Sequence, residues 1–556
     1  MPTPHPLPRN SLPPSHLRTP PVSAQNHARQ RLRRLQGGPP LWYTCIDPHN
    51  LRDHLPQRGL EPFTLKIRRS PFARSFRAQC FTGILIALAT LGLSSCGQQF
   101  YRFPQFTFAG RPIPPSQLAN RVMVSVTVNG SMGNLQILDA LRDLRNNVQD
   151  TIRQFAISGY SSGLPTLILN FPEQTRGYVY SDSDGSLGIV NYSTESGGTS
   201  AGTLPARSTS IAVPTSFANV YSAEETAGQL VVLDNVTSRA YALNLPNVYR
   251  VAVNQGNTVV LAMIRNSDTL YRLVRLNSNQ SSPPGAVDCQ PYNLPVYCVV
   301  PVPGSYDRPI GAYFSLDGAT GYVLNCGREC GGAASGVTVV QQAPLNINTI
   351  PTSVPYPSPV VSNISVPGGA TLAVSDGATL YLAGQQLQPD GLFAGFLSTV
   401  NLASNTVTGQ FSISDGDHTR MRFADDNTLW VGSQFCATGE RAGRFAAGDT
   451  SQAANYNCLT RFDLGSKSAQ IVPAVSRSAS APVTVPYPNE NGNTFYYGDL
   501  TGLCWVQNLH KVYTAYGGQV HAFNTADGSE INNYNITVQG TALDVAYMDA
   551  LTNAAD

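Results

Sequence analysis

From about Pro165 onward the chain keeps one rhythm, in which short β-rich runs alternate with clusters of Gly, Asn, Asp and Ser. Runs of this kind bounded by turn residues predict strands and hairpins. Seven segments share an apolar pair, a polar position and then turn residues: "LGIVNYST", "LVVLDNVTS", "YRLVRLNSN", "VTVVQQAPL", "LSTVNLASN", "LTRFDLGSK" and "VHAFNTADG". Aligned, they place the marker at Asn191, Asp234, Arg275, Gln341, Asn401, Asp463 and Asn524, at intervals of 43, 41, 66, 60, 62 and 61 residues. Another strand precedes most markers, as in "RGYVYSD", "TLYLAGQ", "TLWVGSQ" and "KVYTAYG". Seven copies of a four-stranded unit predict an all-β fold, a seven-bladed β-propeller over 161–556. A lone four-stranded sheet cannot bury both faces, whereas twisted sheets stacked around an axis can. A β-sandwich or two smaller β domains is the alternative, and the in-phase copies count against it. The terminal "TALDVAYMDA" is a candidate clasp for the ring. Blade 1 already owns the early strand "PTLILNF", so the closing register stays open.

Upstream the pattern changes. A strand-like run, "RVMVSVTVNG", covers 121–130. Over about 134–155, Leu138, Leu141, Leu144, Val148, Ile152 and Phe155 recur at three- and four-residue spacing, which predicts an amphipathic helix. Asp139 and Asp143 near its start and Arg153 near its end agree with the helix dipole. Residues 121–160 therefore read as a small N-terminal strand/helix appendage docked on the propeller.

Composition sharpens this picture. Only 13% of residues are charged, against roughly 25% in an ordinary soluble protein. With 48 Gly and 41 Pro, the chain has the make-up of turn-rich, often extracytoplasmic β proteins. Charge is unevenly spread. Residues 1–79 hold thirteen Lys/Arg and three Asp/Glu, whereas the rest hold 23 basic and 31 acidic residues. A mildly acidic body whose lysines are Lys467 and Lys511 lacks the basic stripe that phosphate binding needs, so no nucleic-acid partner is expected.

Residues 1–64 are basic and Pro-rich, hold five of the eight histidines and show little hydrophobic periodicity. Such a stretch cannot bury enough apolar surface to fold alone. It reads as a segment upstream of the true start, or else as a tail for an anionic partner. The first reading is preferred because 65–95 forms a complete export signal. Lys66, Arg68, Arg69, Arg74 and Arg77 are followed by an uncharged run from about Cys80 to Leu93. That run, about 14 residues, is too short for a lasting membrane span, which takes about 20. It ends in Leu93-Ser94-Ser95-Cys96, which resembles the bacterial lipobox. The resemblance implies lipid attachment at Cys96, with a tether over 96–120. Arg68-Arg69 hints at twin-arginine export, but Pro71 and the following residues fit that consensus poorly, so general secretion is expected. Gly97 at the second mature position implies the outer membrane, on its periplasmic or surface face, if the cell is Gram-negative.

A second resemblance lies in "KVYTAYGGQVHAFNTADGSEI" (511–531), which is similar to the YVTN-type propeller repeat, although the literal tetrapeptide is absent. "LYLAG", "LWVGS" and "VYSDSDG" echo it more faintly. The family implies the fold and says almost nothing of function.

Candidate chemistry is sparse. In an exported chain, close cysteines predict the disulfides Cys289–Cys298, Cys326–Cys330 and Cys436–Cys458, each stapling an inserted loop. Cys504 in "GLCWVQ" is expected to be a buried free thiol. "GYSSG" at Ser161 and "GTSAG" at Ser200 match the hydrolase elbow G-x-S-x-G, but neither stands in a strand–turn–helix. "SDSDGS" (181–186) has carboxylates at calcium-loop spacing, lacks the distal Glu, and reads as a hairpin turn between a blade's second and third strands. His418, His510 and His521 are scattered, and "SDGDH" with Asp415 and Asp417 reads as a solvated turn between blades. No residue is assigned to catalysis, metal or cofactor. The resulting expectation is a monomeric, lipid-anchored envelope propeller that binds a protein or glycan. The rival is a lactonase- or lyase-like enzyme at the mouth of the central channel. That rival needs several Asp, Glu, Asn or His side chains converging at the mouth; Tyr, Ser and apolar groups there would exclude it.

Overall fold

Each sequence marker lies in the third strand of a sheet, and the strand before it is the second. The computed structural model describes residues 111–144, 156–277, 280–291, 295–436, 457–473, 498–531, 536 and 538–553. Cys96, the signal at 65–95 and the segment 1–64 lie outside the described residues.

The described residues form eight antiparallel sheets, so the ring has eight blades and not seven. Seven follow in chain order. Their inner strands are Pro165–Phe171, Ser210–Ala212, Val248–Val253, Pro309–Phe314, Leu372–Ser375, Asp417–Ala424 and Leu500–Val506. The eighth is built from both ends of the chain: Thr541–Tyr547 is its inner strand, Arg121–Val128 its second and Met132–Asp139 its third. Blade 8 packs its inner strand against that of blade 1, which closes the ring. "TALDVAYMDA" is thus the clasp, but of an eighth blade and not the first.

The helix expected over 134–155 is absent where it is described. Met132–Asp139 is a strand paired residue for residue with Arg121–Val128. Leu135 and Ile137 alternate with Asn134 and Gln136, a period of two that the helical spacing concealed. Residues 145–155 lie outside the described residues. The expected appendage is therefore part of the ring. The last ten residues of the expected tether are also packed, since Ser116 bonds the Glu195 carboxylate and Leu118 is buried.

The core is a series of seams between blades. Leu187, Ile211 and Leu233 fill the seam between blades 1 and 2. Trp430, Leu500, Tyr516 and Phe523 fill that between blades 6 and 7. Val124, Cys504, Tyr513 and Val545 fill that between blades 7 and 8, and the buried Cys504 thiol stands outside the three disulfides. Each such side chain contributes about 1.5–3 kcal/mol by leaving water, so adjacent blades hold one another. Among the described residues no helix is long and apolar enough to cross a membrane.

All three expected disulfides are present, Cys289–Cys298, Cys326–Cys330 and Cys436–Cys458. The last spans 22 residues. Closing a loop of that size restricts the unfolded chain by about 3 kcal/mol. Cys436→Ser with Cys458→Ser should lower the guanidinium unfolding free energy by about that amount, with no change under reducing conditions.

Inner strands share one irregularity. In six blades a residue near the strand's start is skipped in pairing: Thr166, Tyr249, Ile310, Thr419, Thr501 and Leu543. Thr209 and Thr371 take the corresponding place in blades 2 and 5, each N–H and hydroxyl donating to one carbonyl of the second strand. Such a bulge re-aims the following side chain. That position holds Leu167, Ser210, Arg250, Gly311, Leu372, Arg420, Gly502 and Asp544 around the ring.

Candidate functional site

The residue after the bulge reaches the inner strand of the next blade. Ser210 accepts from the Val251 N–H at 3.2 Å, and Asp544 accepts from the Ile168 N–H at 2.9 Å. Arg420 finds a glycine in that place. A Cβ on Gly502 would lie 2.7 Å from the Asp544 carboxylate, so the glycine leaves room for Arg420 to reach across blade 7 to Asp544 at 3.5 Å. Arg250 is followed by Gly311 in the same way. Burial raises the Asp544 carboxyl above its ordinary range, and Arg420 opposes that shift. Charged residues on the inner strands thus gather at the axis.

Above them, at the end where the inner strands begin, the turns between second and third strands also converge. Here the blades are joined by polar contacts from one to the next. Glu225 pairs with Arg265, Asp268 with Arg308, Glu329 with Gln385, Gly395 N–H with Asp415, and Phe435 N–H with Asp499. Arg265 also sits 4.6 Å over the Tyr249 ring.

Four of the groups at this end interact through their charges: Arg250, Glu329, Asp417 and Asp499. Glu329 lies on the short turn Gly327–Cys330, inside the loop closed by Cys326–Cys330. It accepts from the Gln385 backbone N–H at 2.8 Å and from the Gln385 amide at 3.0 Å. Burial pushes its carboxyl up to about 7; the charge of Asp417 adds to the shift and the Gln385 bonds oppose it. Asp417 is exposed to water at the start of its strand, yet desolvation by the surrounding protein raises its carboxyl. Arg250 draws that carboxyl down and Asp499 pushes it up. Arg250 is buried and its guanidinium is lowered by that burial. Asp499 takes the Phe435 N–H at 2.7 Å. The mouth therefore gathers carboxylates, a guanidinium and an amide, with Asp417 exposed among them. Among the described residues no group of three His, Cys, Asp or Glu has a metal-holding arrangement.

The sequence motifs fare unevenly. Ser161 lies in the segment before blade 1, and Ser200 lies in the outer strand Ser196–Thr203. "SDSDGS" forms the hairpin between the second and third strands of blade 1, with Asp184 accepting from the Ser186 N–H. His510 and His521 both belong to blade 7, where His510 pairs with Asp426 and His521 with Glu530. His418 is not in a solvated turn. It is buried in the inner strand of blade 6, with Nε2 2.9 Å from the Ser414 carbonyl. Burial lowers its imidazole to about 4. The unfolded chain therefore binds a proton between about pH 6.5 and 4 that the fold refuses. Stability should fall as pH drops through that window, by about 3 kcal/mol. Denaturation curves of the parent and of His418→Gln, compared from pH 7 to 4, check this; parallel pH profiles would refute it.

Glu329, Arg250, Asp499 and Asp544 escaped sequence reading. For Arg250 and Asp544 the signal is a single charge inside an apolar strand, "VYRVAV" or "TALDVAY", and for Glu329 a carboxylate clipped within "CGREC"; Asp499 in "YYGDLTG" carries none.

No family model matches the chain, and no curated protein matches it. Among solved structures, the dihydro-heme d1 dehydrogenase NirN in complex with DHE is similar at 14% identity and a TM-score of 0.46, over 81% of this chain and 79% of that one. Kuenenia stuttgartiensis hydrazine synthase is similar at 12% identity and a TM-score of 0.41, over 68% and 99%. The Dos1 propeller is similar at 9% identity and a TM-score of 0.43, over 68% and 86%. The propeller rests on the strand pairing above, and nothing about ligand or chemistry follows from these likenesses.

Proposed function

We propose that this protein is a lipid-anchored envelope propeller, attached through Cys96, whose channel-mouth face binds a protein or glycan. One observation carries the reading. The disulfides Cys326–Cys330 and Cys436–Cys458 stand at the same end of the ring as Arg250, Glu329, Asp417 and Asp499. Carboxylates, a guanidinium and an amide are the donors and acceptors that hydroxyl-rich or peptide ligands require. Ring closure needs none of these inserted loops. Two experiments test it. Mass spectrometry of the mature N-terminus should find a lipid-modified peptide beginning at Cys96. A glycan array and a pull-down from solubilised envelope should return a ligand whose binding falls at least tenfold in Asp417→Ala. Retention by Asp417→Ala of every ligand found would refute the mouth as the binding face.

A second reading is an enzyme at the same mouth, favoured by Glu329. A carboxyl pushed up to about 7 beside a second carboxylate can pass a proton near neutral pH. Turnover of a lactone or glycoside, abolished by Glu329→Gln and by Asp417→Asn, would select it over the binding module.

A further inference from the structure

We infer that the ring rests on the lipid surface through the foot of blade 8, with the channel mouth turned away from the membrane. This rests on the anchor proposed at Cys96 and adds which way the binding face looks. Its partners are then soluble or carried on a facing layer, and are not the headgroups of its own membrane.

The described chain enters at the end of the ring opposite the mouth. Arg121 opens the second strand of blade 8, level with the end of the inner strand Thr541–Tyr547. Residues 111–120 pack there. Arg111 and Arg121 both bond the Asp549 carboxylate, the Ala140 N–H donates to the Asn120 carbonyl, and the Tyr547 hydroxyl donates to the Asn120 side chain. Three segments thus meet at this foot: the entering chain, the turn after Met132–Asp139, and the chain after Tyr547. Each holds a large apolar side chain out to water, Ile113 at 64%, Leu141 at 36% and Leu551 at 75% exposed. Single apolar residues scattered over a surface are ordinary. Three brought to one foot by separate segments mark an interaction surface.

The partner follows from the chain before it and from charge. Arg111 stands fifteen residues after Cys96, a stretch that reaches at most about 50 Å. A lipid on Cys96 keeps the foot within that distance of the bilayer, so even a weak surface contact is made at high effective concentration. That reach alone would let the ring lie either way up. Charge separates the choices. At the foot of blade 8 the pairs Arg111–Asp549, Arg121–Glu195 and Arg142–Asp139 close their own charges. The same end of blades 4 to 7 carries Asp317, Asp376, Asp425, Asp426, Asp463 and Asp527, against Arg461, Lys467 and the His510 paired with Asp426. The mouth end carries Glu329, Asp417 and Asp499. Anionic lipids repel both of those carboxylate-rich regions and leave the blade 8 foot as the face that can approach. Ile113 and Leu551 then leave water among the headgroups, which favours the contact. The lipid supplies the attachment and the foot sets the orientation.

The second strand of blade 8 runs from the foot to the mouth end over eight residues, about 25 Å. That is well beyond the Debye length of about 8 Å at physiological salt. The carboxylates of the mouth are therefore clear of the field of the lipids beneath them.

Fluorescence quenching on vesicles tests the orientation. The lipidated mature chain is placed on vesicles of phosphatidylethanolamine and phosphatidylglycerol, in which some headgroups carry a nitroxide. A fluorophore is attached through Thr552→Cys, beside Leu551 at the foot, or through Ser131→Cys, in the turn at the mouth end of the same blade. Cys504 is buried and takes no label. Quenching is expected to be about fivefold stronger at the foot, because the two labels lie at opposite ends of strands about 25 Å long. Adding Ile113→Asp with Leu551→Asp, which changes exposed side chains only, should remove most of that difference while the chain stays on the vesicles. Equal quenching of the two labels, or stronger quenching at the mouth end, overturns the inference. A difference that survives Ile113→Asp with Leu551→Asp overturns it as well. If mass spectrometry finds no lipid on Cys96, the anchor reading fails by itself. The same pair of labels, on a chain held to nickel-chelating lipid by an N-terminal hexahistidine tag, then still decides the foot.

Discussion

Asp544→Ala should destabilise the ring by about 3–5 kcal/mol, the range for removing one member of a buried charged pair. Asp544 is 4% exposed, and its carboxylate accepts from Ile168 N–H in blade 1 and faces Arg420 of blade 6 across Gly502. Its loss orphans a buried N–H and leaves a guanidinium, itself 8% exposed, without its counter-charge. Asp544→Asn keeps an acceptor for Ile168 and should recover part of the loss. Because burial already raises the Asp544 carboxyl, the native charge is held at some expense. The double change Arg420→Leu with Asp544→Leu should therefore be milder than Asp544→Ala alone. Guanidinium unfolding followed by Trp fluorescence measures all three. A cost below about 1 kcal/mol, the level of an exposed ion pair, would mean the contact across Gly502 does not help close the ring.

The second large effect is expected at the seam between blades 8 and 1. Arg121 opens the second strand of blade 8 and is 3% exposed. Its guanidinium donates to Asp549 at 2.6 Å, to Glu195 at 2.9 Å and to the Tyr192 carbonyl at 2.6 Å. Burial works against its charge, but Asp549 and Glu195 outweigh that and raise its pKa above the ordinary value. Arg121→Ala leaves Asp549 to Arg111 alone and Glu195 to its Ser116 bonds without a cation, at a cost of about 3 kcal/mol, the low end for a broken buried pair. Arg121→Lys should rescue only part, since an ammonium cannot fork between both partners. Local exchange discriminates further. Protection should drop along Arg121–Val128 and Thr541–Tyr547 and much less in blades 3 to 5. Uniform loss over all blades, or none at this seam, would contradict a closure held by Arg121.

Much of the fold was legible because a blade is a local object. Its hairpins set a period-two pattern and its turns a spacing, so seven third strands could be found from "LVVLDNVTS" to "VHAFNTADG". The disulfide partners were legible for the same reason, as each pair closes a short loop. Met132–Asp139 was misread because leucines at three- and four-residue spacing satisfy a helix as well as a buried strand. Pairing with Arg121–Val128 decided between the two.

The eighth blade has no repeat to find. Its strands lie about four hundred residues apart, and no window of sequence contains both. The candidate site shares that property. Arg250, Glu329, Asp417 and Asp499 come from blades 3, 4, 6 and 7, and a raised carboxyl depends on what surrounds it. By itself the sequence determined an all-β propeller, its first seven blades and its disulfides, because hairpins and short loops are written locally. The number of blades, the partner of Asp544 and the gathering of charge at the mouth were decided only when the ring closed. Closure joins residues remote in sequence and removes water from between them.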